Sequence, residues 1–158
     1  MLNEDYRDIL LAFVDEKVEF LLVGAYALAA HGYPRATMDI NLWVMPSPDN
    51  AEAVLRALHR FGAPVVELRE GDLQNEGTVF QIGVAPRRID ILTAVSGLRF
   101  DEAFVRAIPV HIEGITVRIP TIEDMIRNKR ATGRTKDLAD AEALEELLNP
   151  RSDGPEIA

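Results

Sequence analysis

The stretch from Thr37 to Val44, TMDINLWV, constrains the fold more than any other part of the chain. At the strand period of two, Ile40, Leu42 and Val44 fall on one face and Asp39, Asn41 and Trp43 on the other. Asx residues are poor strand formers. Two of them one pleat apart mark either a strand end whose side chains cap local backbone or a pair of oxygen ligands aimed at one cation. A second polar island, Arg88 to Leu92 (RIDIL), has the same form and sets Asp90 between isoleucines. Taken singly, Asp90 reads as the salt-bridge partner of Arg87 or Arg88. Its recurrence in the setting of Asp39 favours a shared site.

The rest of the chain reads as helices and strands around these islands. Asn3 caps a helix whose Ile9, Leu10, Phe13 and Val14 recur at helical spacing and which ends near Lys17. Val18 to Val23 is an apolar run suited to a strand covered on both faces. Gly24 closes it, and Ala25 to His31 favours helix. Ser47 and Pro48 start a helix with Ala51, Val54, Leu55, Leu58 and Phe61 on one face. The residues 62–77 carry the weakest pattern, with a strand suggested near 65–68. Val79 to Val84 and Arg88 to Leu92 form a hairpin, followed by a short helix from Phe100 to Ala107. Val110 to Ile112 and Ile115 to Ile119 pair around Glu113 and Gly114. Thr121 and Asp124 open a helix that Gly133 breaks. A last helix from Thr135 to Leu148 turns Leu138, Ala141, Leu144, Leu147 and Leu148 inward. The expected architecture is an α/β (α+β) domain with a mixed sheet of about five strands and flanking helices, spanning 1–148, with a flexible tail at 149–158.

Composition limits the function classes. With 158 residues, 47% of them hydrophobic, the chain can bury one substantial core. Zero cysteines rule out disulfides, thiol catalysis and Cys-ligated zinc. A net charge of −9 disfavours broad nucleic-acid binding through phosphates. No apolar run reaches membrane-spanning length, and the acidic N-terminus argues against a signal peptide, so a cytoplasmic location and no membrane partner are expected. His31, His59 and His111 are scattered and read as structural or surface residues. Neither a phosphate-binding Gly-x-x-x-x-Gly-Lys loop nor a Gly-x-Ser-x-Gly elbow is present.

The order Val23-Gly24-Ala25, helix, Asp39-Ile40-Asn41, and a later Asp90 resembles the nucleotidyltransferase superfamily that includes DNA polymerase β. From Leu22 to Val44, at the Asp90 strand and from Asn128 to Leu138, the chain is similar to small bacterial nucleotidyltransferases related to abortive-infection and toxin-antitoxin proteins. The likeness covers roughly 18–148. It implies a mixed-sheet nucleotidyltransferase fold and transfer of a nucleoside monophosphate from a nucleoside triphosphate to a hydroxyl of RNA, protein or a small molecule, with Mg2+ or Mn2+. By this resemblance Asp39, Asn41 and Asp90 are metal ligands, Asp39 and Asp90 are catalytic, and Gly24, Ala25, Arg35, Thr37, Lys129 and Lys136 bind nucleotide. Arg130 is a further candidate for phosphate charge. It also implies a cognate partner protein in a toxin-antitoxin or defence role.

Two departures stand out. Asn41 takes the place of the second carboxylate, and Ala25 that of Gly or Ser. An amide oxygen can coordinate a cation but adds no charge. The alternative is therefore a catalytically degenerate module of the same fold that binds a ligand or partner. A metal-dependent nuclease is a third reading.

Overall fold

The computed structural model describes residues 2–35, 39–65, 68–84 and 87–150. Its first helix, α1 (Glu4–Asp15), starts where Asn3 accepts a hydrogen bond from the Tyr6 amide at 2.8 Å. It ends two residues short of Lys17, which takes a positive φ of 58°. The strands β1 (Phe20–Val23) and β2 (Ile40–Val44) pair antiparallel, with α2 (Ala25–Ala30) between them. Then come α3 (Pro48–Phe61), the one-turn α4 (Glu70–Gln74), and the hairpin of β3 (Val79–Ile82) and β4 (Ile89–Leu92). The order across the sheet is β1-β2-β4-β3, and β2 runs parallel to β4.

The α5 helix (Phe100–Arg106) leads into a separate ribbon, β5 (Ile108–Ile112) and β6 (Ile115–Ile119), turned at Glu113 and Gly114 with φ of 49° and 84°. The sheet thus has four strands rather than about five. The expected strand near 65–68 does not form among the described residues, and Val66 and Glu67 lie outside them. The chain closes with α6 (Ile122–Thr132) and α7 (Thr135–Leu148), joined at Gly133. From 151 onward the expected tail lies outside the described residues. Among those residues no helix is long and apolar enough to cross a membrane.

Strand alternation divides the sheet into two unlike faces. Leu22, Ile40, Leu42, Val44, Ile89 and Ile91 enter the main core with Ile9, Leu10 and Phe13 of α1 and Val54 and Leu58 of α3. The opposite face is apolar at one end, where Leu21, Val23 and Trp43 pack under Phe100 and Ala103. Trp43 and Phe100 meet edge to face at 5.2 Å. Toward the other end the same face turns polar, because Asn41 lies beside Asp90 and Asp90 beside Gln81.

Helix phase corrects two sequence expectations. Val14 is exposed on α1, and Leu138, Leu147 and Leu148 are exposed on α7. The buried stripe of α7 is Asp137, Asp140, Ala141 and Leu144. Ala141 and Leu144 are buried as expected, but the stripe continues toward the N-terminus through Asp140 and Asp137 at helical spacing, and Leu138, Leu147 and Leu148 fall outside it.

The sheet is held to α3 by Asn50, whose amide accepts from the Glu19 amide at 2.8 Å and donates to the carbonyls of Glu19 and Met45 at 3.0 and 2.9 Å. This buried residue ties the start of β1 to the end of β2. Asn50→Ala leaves those groups unpaired and is expected to lower stability by about 1–3 kcal/mol, read from chemical denaturation midpoints.

Candidate active site

The parallel pairing of β2 and β4 sets Asn41 opposite Asp90, so both polar islands open on one face. Asp39 immediately precedes β2 and shares that face with Asn41 by alternation. The carboxylates of Asp39 and Asp90 are bridged by Arg88. Its Nε donates to Asp90 Oδ1 at 2.8 Å, and its Nη2 donates to Asp39 Oδ2 at 2.9 Å and to Asp90 Oδ2 at 3.3 Å. Asp39 Oδ1 is buried with no hydrogen-bond partner among the described residues. The hydrogen bond that Arg88 donates to the Asp90 carboxylate, and the charges of Asp90 and Asp39, raise the Arg88 pKa above its ordinary value.

Behind this group the Arg88 carbonyl accepts from Tyr6 Oη and from the Ile40 amide, each at 3.1 Å. Burial, then Tyr26 and the negative charges of Asp39 and Asp90, push the Tyr6 phenol up to about 12. It therefore remains a donor across the neutral range.

Gly24 brings the β1–α2 turn onto the same place. Its φ is 74°, and a Cβ there would lie 2.4 Å from Asn41 Nδ2. Only a residue without a side chain lets the turn close on that amide. Two adjoining cavities, of about 280 and 310 Å³, share Gly24, Asn41, Lys129 and Arg134. The first runs between the sheet and α6, walled by the 94–98 loop. That loop is clamped to α6: Asn128 Nδ2 donates to the Ser96 carbonyl at 2.9 Å, and a Cβ on Gly97 would lie 2.6 Å from that of Ala131. The second cavity is bounded by Ala25, Arg35, Lys136 and Asp137.

The cations of this cleft are anchored by the buried acids of α7. Arg35 Nη1 donates to Asp140 Oδ1 at 2.6 Å, and Lys129 Nζ lies 3.1 Å from Asp140 Oδ2 and 3.6 Å from Asp137. Arg134 Nε and Thr132 Oγ1 donate to Asp137 at 2.7 and 2.8 Å. Burial opposes ionisation of both aspartates. The hydrogen bond from Arg35 and the ion pair with Lys129 at Asp140, and the hydrogen bonds from Arg134 and Thr132 at Asp137, outweigh it and hold both carboxyls below the usual range.

The cleft thus gathers Gly24, Ala25, Arg35, Asn41, Lys129 and Lys136. Asp39 and Asp90 stand beside Asn41 without lining either cavity, and Thr37 lies outside the described residues. Arg130 points elsewhere, pairing with Glu145. His31 and His111 serve structural roles, bonded to the Pro120 carbonyl and to Thr116. By sequence Arg134 reads as a solvated cation near a helix end, whereas it lines both cavities, and sequence reasoning gave Asp137 and Asp140 no role in the site. The signal was the spacing of Asp137 and Asp140 with Ala141 and Leu144, which marks one helix face.

No family model and no curated protein matches the chain. Solved structures do match over nearly its whole length. TM1012 from Thermotoga maritima, a candidate nucleotidyltransferase, superposes with a TM-score of 0.59 at 17% identity, covering 96% of this chain and 97% of its own. The antibiotic-resistance factor ANT(2'')-Ia matches in solution with a TM-score of 0.57, 17% identity and coverage of 91% and 82%. Its crystal structure with adenylyl-2''-tobramycin matches with a TM-score of 0.52, 17% identity and coverage of 90% and 91%. The chain has the nucleotidyltransferase fold.

Within this fold the donor set suits a divalent cation in kind. Asp39, Asn41 and Asp90 share one face of the sheet, Asp39 Oδ1 is unpartnered among the described residues, and magnesium commonly takes one or two carboxylates together with substrate phosphates. No cluster of three His, Cys, Asp or Glu that could hold a metal alone occurs among the described residues. Asp39, Asn41 and Asp90 are the side chains on this face that could supply oxygen ligands to a cation.

Two outcomes follow from this geometry. Because Asp137 and Asp140 have depressed folded-state pKa values, their contribution is present above the unfolded value of about 3.9 and is lost as pH falls below it. Urea denaturation between pH 7 and pH 3 should show that loss, and Asp140→Asn should reduce its size while costing about 1.5–3 kcal/mol at neutral pH. Gly24→Ala should cost about 1–3 kcal/mol through its positive φ and should shift the Asn41 side-chain amide resonances in NMR spectra.

Proposed function

We propose that the chain transfers a nucleoside monophosphate from a nucleoside triphosphate to a hydroxyl group. The observation that carries this reading is the meeting of Asp39 and Asp90, from separate strands of this fold, beside a cleft lined by Gly24, Arg35, Lys129, Arg134 and Lys136. The Gly24 turn lets a phosphate approach the backbone closely. Arg35, Lys129 and Lys136 supply positive charge for its oxygens. A magnesium or manganese ion bound by Asp39, Asn41 and Asp90 would neutralise phosphate charge and orient the reacting oxygens.

In the reaction the acceptor oxygen bonds to the α-phosphorus, the bond to the bridging oxygen breaks, and pyrophosphate leaves. Asp90 would take the hydroxyl proton. It can do so only when its oxygens are released from Arg88. The first cavity, apolar along Val23, Leu92, Val95 and Leu98, suits the base or the acceptor, while the shared edge at Lys129 and Arg134 suits phosphates. The acceptor class is RNA, protein or a small molecule, and ANT(2'')-Ia, with its adenylyl-tobramycin complex, shows the small-molecule case on this fold. A toxin-antitoxin or defence role with a cognate partner protein belongs to the same proposal.

The experiment is incubation with each α-labelled nucleoside triphosphate, Mg2+ or Mn2+, and a cell extract. Labelling of an acceptor is expected, with Asp90→Asn slowing it by about 10²–10⁴-fold at unchanged folding. A second reading, a degenerate binding module, draws on the neutral Asn41 and on the Arg88 bridge. It predicts no labelling by the natural chain and a gain of labelling in Asn41→Asp.

A further inference from the structure

Two carboxylates in one site repel, and a cation between them relieves the repulsion. In this chain that cation is internal. We propose that the Arg88 guanidinium is a built-in counter-ion that holds Asp39 and Asp90 together and that a divalent cation must displace before it can bind them. The inference rests on the reading of these two carboxylates as cation ligands, and it goes beyond that reading by naming what governs their loading.

Three features of the geometry carry it. First, Arg88 uses Asp39 Oδ2 and both oxygens of Asp90, so three of the four carboxylate oxygens are taken by charge-assisted bonds at 2.8 to 3.3 Å. A metal ion drawing on the same oxygens and the guanidinium exclude one another, by geometry and by like charge. Second, Arg88 is attached for movement of its side chain alone. Its carbonyl is fixed by Tyr6 and Ile40 at 3.1 Å, while its side chain is 31% exposed and can rotate into solvent without opening the core. Third, the exchange gains at Asp39. The guanidinium leaves Asp39 Oδ1 buried and unpartnered among the described residues, and a divalent ion supplies the missing ligand.

The consequence is a site guarded by its own stretch of chain. Arg88 stands one residue before β4 and two before Asp90, on the same face by alternation, so the arginine that closes the pair and the aspartate that would bind metal are near neighbours in sequence. Asn41 deepens the effect, because an amide at the third position adds no charge to help a metal compete with Arg88.

The test compares Mn2+ binding, by the electron paramagnetic resonance signal of the free ion, in the natural chain, Arg88→Gln and Arg88→Lys. Arg88→Gln is expected to bind Mn2+ at least about tenfold more tightly, and adding Asp90→Asn should abolish the gain. Mn2+ should raise the melting temperature of Arg88→Gln more than that of the natural chain. Arg88→Lys, which keeps the charge but loses the fork, should fall between.

The natural chain gives an independent measurement if the variants fold poorly. The Arg88 Nε–H resonance should be protected from solvent exchange without metal and lose that protection as Mg2+ is added. Equal or weaker Mn2+ binding by a folded Arg88→Gln, or an Nε–H signal unchanged at saturating Mg2+, overturns the proposal. Tight Mn2+ binding by Arg88→Gln together with no labelling by the natural chain leaves this inference standing and removes the transferase reading. Transfer without any effect of Arg88 on metal affinity does the reverse.

Discussion

The parallel pairing of β2 with β4 is the constraint on which the candidate site depends. Parallel strands cannot be joined by a tight turn, so the chain must travel between them through α3, α4 and β3. The same pairing sets Asn41 beside Asp90 and lets Arg88 reach both carboxylates. A register slip of one residue would turn Asp90 to the core face and expose Ile89 and Ile91. The register is held by the apolar face beneath, where Ile40, Leu42, Ile89 and Ile91 are buried together. The polar site is thus a by-product of a hydrophobic alignment, and the burial of one face fixes the chemistry of the other.

The second half of the site is assembled from the C-terminal helices. In it, Asp137 and Asp140 occupy the buried face of α7 and hold Arg35, Lys129 and Arg134 around the Gly24 turn. Long cationic side chains lose conformational freedom when they bind an anion. Holding them in place beforehand lowers that cost. The same arrangement leaves the cleft only partly cationic, since Arg35, Lys129 and Arg134 already face carboxylates. A ligand must compete with internal partners at both ends of the site: Arg88 at the metal end, and Asp137 and Asp140 at the phosphate end. Asn41, without charge, sits where the two ends meet.

Much of this was legible in the residues. The Asn3, Ser47 and Thr121 caps, the hairpin turn at Glu113 and Gly114, and the polar islands at Asp39 and Asp90 stand where local chemistry puts them. These are short-range effects, decided within a few bonds of the residue concerned. The α7 face was misread because leucines at 138, 147 and 148 suggested one stripe, while the buried stripe contains two charges. Burial of Asp137 and Asp140 is tolerable only because Arg35, Thr132, Lys129 and Arg134 meet them. Those partners belong mainly to other elements, so helical periodicity alone could not reveal the match.

The sequence by itself determined the strand with Asp39 and Asn41, the glycine before α2, the later aspartate and the order in which they occur, because these follow from local period and backbone freedom. Only the tertiary structure decided that Arg88 closes the carboxylate pair and that α7 turns its aspartates inward. Both outcomes are contests between charges and burial among segments distant along the chain. Such contests are settled by which surfaces can come together, a property of the packed whole and not of any window of residues.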